Sequence, residues 1–170
     1  MRRRAYGGTR VNHVDWLKLA HSKDAVAVSV GIDVGKHRLF AVCRWADGRF
    51  ERPWRINNPS ELVDFVALLQ RVSAGRKLVV AMESSGTYGD ALRQALADEG
   101  IELQRVGTKA AHDYAEVFDG VPSQHDGKDA AVVAELAALG KSTPWAYQPA
   151  DVWSRNWLIG WIGWWGIAKC

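Results

Sequence analysis

The chain has 170 residues, 48% hydrophobic and 24% charged, with a formal net charge of +3. That composition excludes a disordered or collagen-like chain, and a domain of this size buries roughly 70% of its unfolded surface without disulfides or a structural metal. Two cysteines, Cys43 and Cys170, make neither a CxxC pair nor a disulfide ladder, which excludes a small secreted scaffold and points to a reducing compartment.

The opening MRRRAYGGTR holds Arg2, Arg3, Arg4 and Arg10 and is not followed by an apolar stretch, so it does not read as an export signal. With Lys18 and Lys23 it faces only Asp15 and Asp24. Residues 1–24 are thus expected to be a basic arm that neutralises phosphates or, alternatively, a solubilising leader. The longest apolar run, 157–168, is shorter than the ~18 to 20 residues of a membrane-spanning helix. A cytoplasmic location is expected.

Residues 25–33 (AVAVSVGID) alternate small apolar and β-branched side chains and read as a strand. Residues 37–46 form a second, and Asp47-Gly48 predicts a two-residue type I′ turn with a third strand over 49–56. Asn58-Pro59-Ser60-Glu61 reads as a helix start, with Asn58 as the cap and Pro59 at the first position. Leu62, Phe65, Val66, Leu69 and Val72 then recur at helical spacing. A continuous apolar run over 77–82 predicts a strand buried on both faces. Helix over 88–99, strand over 101–106, and helices over 108–118 and 129–139 complete the order βββαβαβαα. Three antiparallel strands followed by parallel strands with helical crossovers is the order of a ribonuclease H-like mixed α/β sheet. A domain over 25–147 is expected, and a Trp-rich tail over 148–170.

In an open α/β sheet, ligands bind beyond the carboxyl ends of the strands. Asp33, in GIDVGK, ends the first strand and Glu83, in MESSGTY, ends the fourth, so in that fold their carboxylates converge. Singly, Asp33 also reads as a turn cap and Glu83 as a residue that has left the core. Asp126 and Asp129, in HDGKDAAVVAEL, share a helical face that Val133 and Leu136 continue toward the core. Capping is the competing reading, with Asp126 as N-cap and Asp129 at the third position. Four converging carboxylates repel unless a cation compensates, and hard oxygen donors favour Mg2+ or Mn2+. Such clusters hold two ions roughly 4 Å apart and serve phosphodiester chemistry. His13, His21, His37 and His112 are scattered; only His125 stands beside the cluster.

GIDVGK, MESSGTY and HDGKDAAVVAEL, in that order, resemble the RuvC-like N-terminal domain of the DEDD transposases of insertion-sequence family 110, over about residues 26 to 147. Gln124-His125 departs from the family, where basic and hydroxyl residues are common. The resemblance implies that Asp33, Glu83, Asp126 and Asp129 are an acidic tetrad that is both catalytic and metal-binding. It further implies magnesium, DNA of mobile-element ends and target as substrate, a guide RNA, and a homo-oligomer for the full-length protein. The family's serine nucleophile lies on a C-terminal domain that nothing in this sequence matches, so an incomplete transposase is expected. Arg2, Arg3, Arg4 and Arg10 are the candidate nucleic-acid contacts.

The tail holds five of the nine tryptophans; Trp153, Trp157, Trp161 and Trp164 or Trp165 recur at helical spacing. A contact surface, base stacking and out-of-frame coding compete to explain it. Two rival functions stand beside the transposase. GIDVGK also resembles the first phosphate loop of actin-like ATPases and sugar kinases, but no later Gly-rich loop follows, and the paired aspartates argue against it. A non-catalytic nucleic-acid-binding remnant would share the same sequence features.

Overall fold

The computed structural model describes residues 8–21, 26–83, 86–118 and 125–148; Arg2, Arg3, Arg4 and the Trp-rich tail lie outside them. Strands β1 (Thr9–Arg10), β2 (Ala27–Val34), β3 (Arg38–Trp45), β4 (Trp54–Asn57), β5 (Lys77–Glu83), β6 (Leu103–Val106) and β7 (Thr143–Pro144) alternate with helices α1 (Trp16–His21), α2 (Leu62–Ser73), α3 (Asp90–Asp98), α4 (Thr108–Phe118) and α5 (Asp126–Ala138). The seven strands lie in the order β1-β4-β3-β2-β5-β6-β7. β2, β3 and β4 form an antiparallel meander, and β5 and β6 extend it in parallel from β2. This is the ribonuclease H-like arrangement that the order of elements predicts. No helix among the described residues is long and apolar enough to cross a membrane.

Strand alternation divides the core into two faces. Val28, Val30 and Ile32 of β2 pack with Leu39, Cys43, Trp45, Val80 and Met82 beneath α2 and α3. Leu62, Phe65, Val66, Leu68, Leu69 and Val72 bury one stripe of α2 there, each worth about 1.5–3 kcal/mol. Ala81, Val106, Val132, Val133 and Leu136 pack on the opposite face, with Tyr114 and Phe118 of α4. α5 is buried around most of its circumference, because α4 covers it from outside and the sheet from inside.

Four local expectations are corrected. The hairpin is not type I′, because that turn needs a positive φ at both central residues and only Gly48 has one, at 87°. Gly48 N–H instead bonds Trp45 O at 3.0 Å, and Trp45 N–H bonds Arg49 O at 2.8 Å, which makes a three-residue loop. The returning strand is interrupted: Phe50 makes an isolated bridge to Arg44, Pro53 contributes no donor, and pairing resumes at Trp54. Asn58 is not a helix cap. α2 starts at Leu62 with Glu61 at the N-cap position, and the Asn58 amide reaches Gly35, Lys36 and Tyr88 instead. α5 begins at Asp126, with His125 at the N-cap position and no side-chain capping bond, so Asp126 is not the cap either.

The segment expected to be an arm adds to the domain from Thr9 onward. β1 pairs in parallel with β4, Val11 and Leu19 enter the core, and Arg10 binds Glu61 at 2.6 Å. Glu61 also accepts the Asn57 N–H at 2.8 Å, and its carboxyl is held below the usual range, chiefly by the bond from Arg10.

Candidate metal centre

The β2–β5 ladder pairs Ile32 with Met82, so Asp33 and Glu83 are the next residues on neighbouring parallel strands. Strands so paired lie about 4.8 Å apart. By alternation both acids stand on the face that α5 covers, the same face as Gly31 and Ala81. Sequence and register are thus enough to bring these two carboxylates to one edge.

The other two come with α5. Gly31, in the middle of β2, lies directly under that helix: a Cβ there would stand 2.8 Å from Ala134 Cα and closer still to Ala130 O and Ala134 N. Only glycine lets the strand and helix backbones meet, and this close approach sets the first turn of α5, with Asp126 and Asp129, over the carboxyl ends of β2 and β5. Ala130 and Ala134 supply the matching small surface on the helix and are wholly buried.

Electrostatics report the convergence. Burial pushes the Asp33 carboxyl from 3.8 up to about 7, with Asp129, Asp126 and Glu83 adding to the rise in that order. Asp129 is also raised, by burial and then by Asp126 and Glu83, while Lys128 and His125 pull it down. Other carboxylates of the protein face cations: Glu61 faces Arg10, Glu135 Arg44, Asp90 Arg93 and Asp113 Lys109. Among the described residues, none of the four site acids has an ion pair of that kind. They face one another.

The donor set is entirely carboxylate oxygen, the chemistry of a hard divalent cation rather than of zinc. Among the described residues, no three His, Cys, Asp or Glu side chains are drawn tightly enough together to hold an ion as they stand. In composition and charge, the residues present nonetheless fit Mg2+ or Mn2+.

Two residues that shape the site carry weaker sequence signals. Gly31 is a glycine inside a strand pattern, itself a sign of close backbone approach. Lys128, between the two aspartates, is only 3% exposed, which its residue type conceals. His13, His37 and His112 are exposed, and His112 stands 3.8 Å from Asp113, on α4.

A family model described as "Transposase", for DEDD transposases of insertion-sequence family 110, matches residues 30–153. A solved structure of T. thermophilus RuvC in complex with Holliday junction substrate is similar over 70% of this chain and 99% of that chain, with 16% identity and a TM-score of 0.48. No curated protein matches the chain.

Proposed function

Because this chain belongs to the DEDD transposases of insertion-sequence family 110, we propose that Asp33, Glu83, Asp126 and Asp129 form the metal-binding centre through which it cleaves and joins DNA strands at mobile-element ends. One observation supports this reading above the others: the β2–β5 register and the close contact of Gly31 with α5 set Asp33 among three other acids, which together with burial raise its carboxyl to about 7. Three carboxylates, from β5 and α5, outweigh the one backbone hydrogen bond that Asp33 accepts from Val34, a costly arrangement that metal binding explains.

Bound Mg2+ or Mn2+ supplies the positive charge that activates a nucleophile and stabilises the leaving oxygen of a phosphodiester. The chain's own part is placement. Parallel register fixes Asp33 against Glu83, and the contact of Gly31 with Ala130 and Ala134 holds Asp126 and Asp129 over them. The residues over 25–147 form the proposed catalytic domain. Arg2, Arg3, Arg4 and Arg10 would neutralise phosphates of the DNA or of a guide RNA, with Arg10 shared with Glu61. A serine-bearing C-terminal domain and a second copy of the chain would complete the recombining assembly.

The test is strand cleavage and joining on mobile-element-end DNA with and without Mg2+, using this chain alone and together with a full-length relative whose own tetrad is inactivated. Metal-dependent turnover that Asp33→Asn abolishes is expected. DNA binding without turnover under every condition would leave a non-catalytic nucleic-acid-binding remnant.

A further inference from the structure

We propose that Asn58 is a positioning residue for the acidic site, its side-chain amide tying the loop that follows Asp33 to the loop that follows Glu83. The inference rests on the reading of those acids given above. Its Nδ2 lies 3.3 Å from Gly35 O, 3.5 Å from Lys36 O and 3.0 Å from Tyr88 O. An amide NH2 has two protons, so one serves the Gly35–Lys36 side and the other serves Tyr88. The Asn58 backbone N–H adds a bond to His37 O at 3.0 Å.

The need for such a tie follows from the ladder. Backbone pairing between β2 and β5 runs as far as Ile32 and Met82, one residue short of the two acids. Beyond that point the two chains go their own ways, one into β3 and the other into α3, and a side chain from a third element joins them. Packing supports the same join: a Cβ at Gly89 would collide with Met82 Cε and lie 3.7 Å from Val34 Cγ1, so the second loop folds back onto the end of β2. That approach carries the Tyr88 carbonyl to Asn58. The amide is not used for α2, which starts at Leu62 without a side-chain cap.

Asparagine and aspartate serve nearly equally in caps and turns. They differ as a tie. Aspartate has no proton to donate and would set a carboxylate against three carbonyl oxygens. The parent, Asn58→Ala and Asn58→Asp are therefore compared by amide exchange and by Mn2+ affinity. Gly35 and Asp90 report the two loops, since their amides bond Arg38 O and Thr87 O; Leu62 and Phe65 report the start of α2, bonding Pro59 O and Glu61 O. Exchange at Gly35 and Asp90 should accelerate about tenfold in both variants, more in Asn58→Asp, with Leu62 and Phe65 unchanged. Mn2+ affinity of Asn58→Ala should fall about tenfold, the low end for loss of a group outside the ligand shell. Faster exchange confined to Leu62 and Phe65, an Asn58→Asp variant equal to the parent, or full Mn2+ affinity in Asn58→Ala would overturn the proposal. If the parent binds no Mn2+, the metal-centre reading falls, and the exchange pattern alone decides whether Asn58 joins the loops.

Discussion

Replacing Gly31 with alanine would press one methyl group between β2 and the helix that carries Asp126 and Asp129. The new Cβ would lie 2.8 Å from Ala134 Cα and nearer to two other backbone atoms, inside the 3.0 Å that real Cβ atoms keep. No rotamer relieves a clash with backbone, so α5 has to withdraw by about 1 Å, and overpacking of this kind costs about 1–3 kcal/mol. The absence of a movable side chain puts the value near the top of that range. Alanine restricts the unfolded chain and returns about 0.4–1 kcal/mol, leaving a net loss of about 2 kcal/mol. For a chain of this size that lowers Tm by about 4–8 °C. Urea unfolding of Gly31→Ala beside Gly107→Ala makes the comparison, because a Cβ at Gly107 meets nothing within 4 Å and its φ is not positive. The control, at the N-cap position of α4, trades the entropy gain of alanine against its poorer capping and should stay within about 1 kcal/mol of the parent. Since the withdrawing helix takes two of the four carboxylates with it, Mn2+ affinity of Gly31→Ala should fall as well. Stability within about 0.5 kcal/mol of the parent, the range of an ordinary surface change, would refute the backbone contact as the device that holds α5.

The Asp33 carboxyl, raised from 3.8 to about 7, holds its proton more tightly in the folded than in the unfolded chain. Stability of the metal-free protein should therefore fall as pH rises from about 4 to 7, by about 2 kcal/mol once the undiscounted figure of about 4 is halved for solvent screening, and level off above that. Asp33→Asn should flatten this slope in urea unfolding, and an unchanged slope would assign it elsewhere. Asp126→Asn and Asp129→Asn should stay folded, neither replacing a capping bond, and should lose the Tm increase that Mg2+ or Mn2+ gives the parent in differential scanning fluorimetry. Substituting alanine for Arg2, Arg3 and Arg4 together should weaken DNA binding and reduce its log-log salt slope by up to about 2.7, at 0.9 per phosphate contact, as read by fluorescence anisotropy.

The central meander, the parallel extension and α4 were legible because they carry long periodic patterns and each buries a consistent face. The register that sets Asp33 beside Glu83 followed from the fold class once the strands were ordered. β1 and β7 were not legible: each has two residues, too few for alternation to show, and β1 depends on a partner at β4 that is distant in sequence. Asn58 matched a capping pattern because the same side chain serves a cap or a long-range tie, and only the neighbourhood of Gly35 and Tyr88 separates the two. Asp126 read as a cap for a similar reason, although His125 takes that position. Gly31 showed a signal, a glycine amid β-branched residues, but which element approaches it is a tertiary fact.

The claim on which the rest depends is that four carboxylates from β2, β5 and α5 act as one cation site. Electron paramagnetic resonance of Mn2+ titrated into the parent and into Asp33→Asn tests it directly, since two ions roughly 4 Å apart couple and alter each other's spectrum. The parent should bind a coupled pair, and Asp33→Asn should bind neither ion of that pair while remaining folded. No binding by the parent at millimolar Mn2+, or the same coupled spectrum from Asp33→Asn, would contradict a shared site.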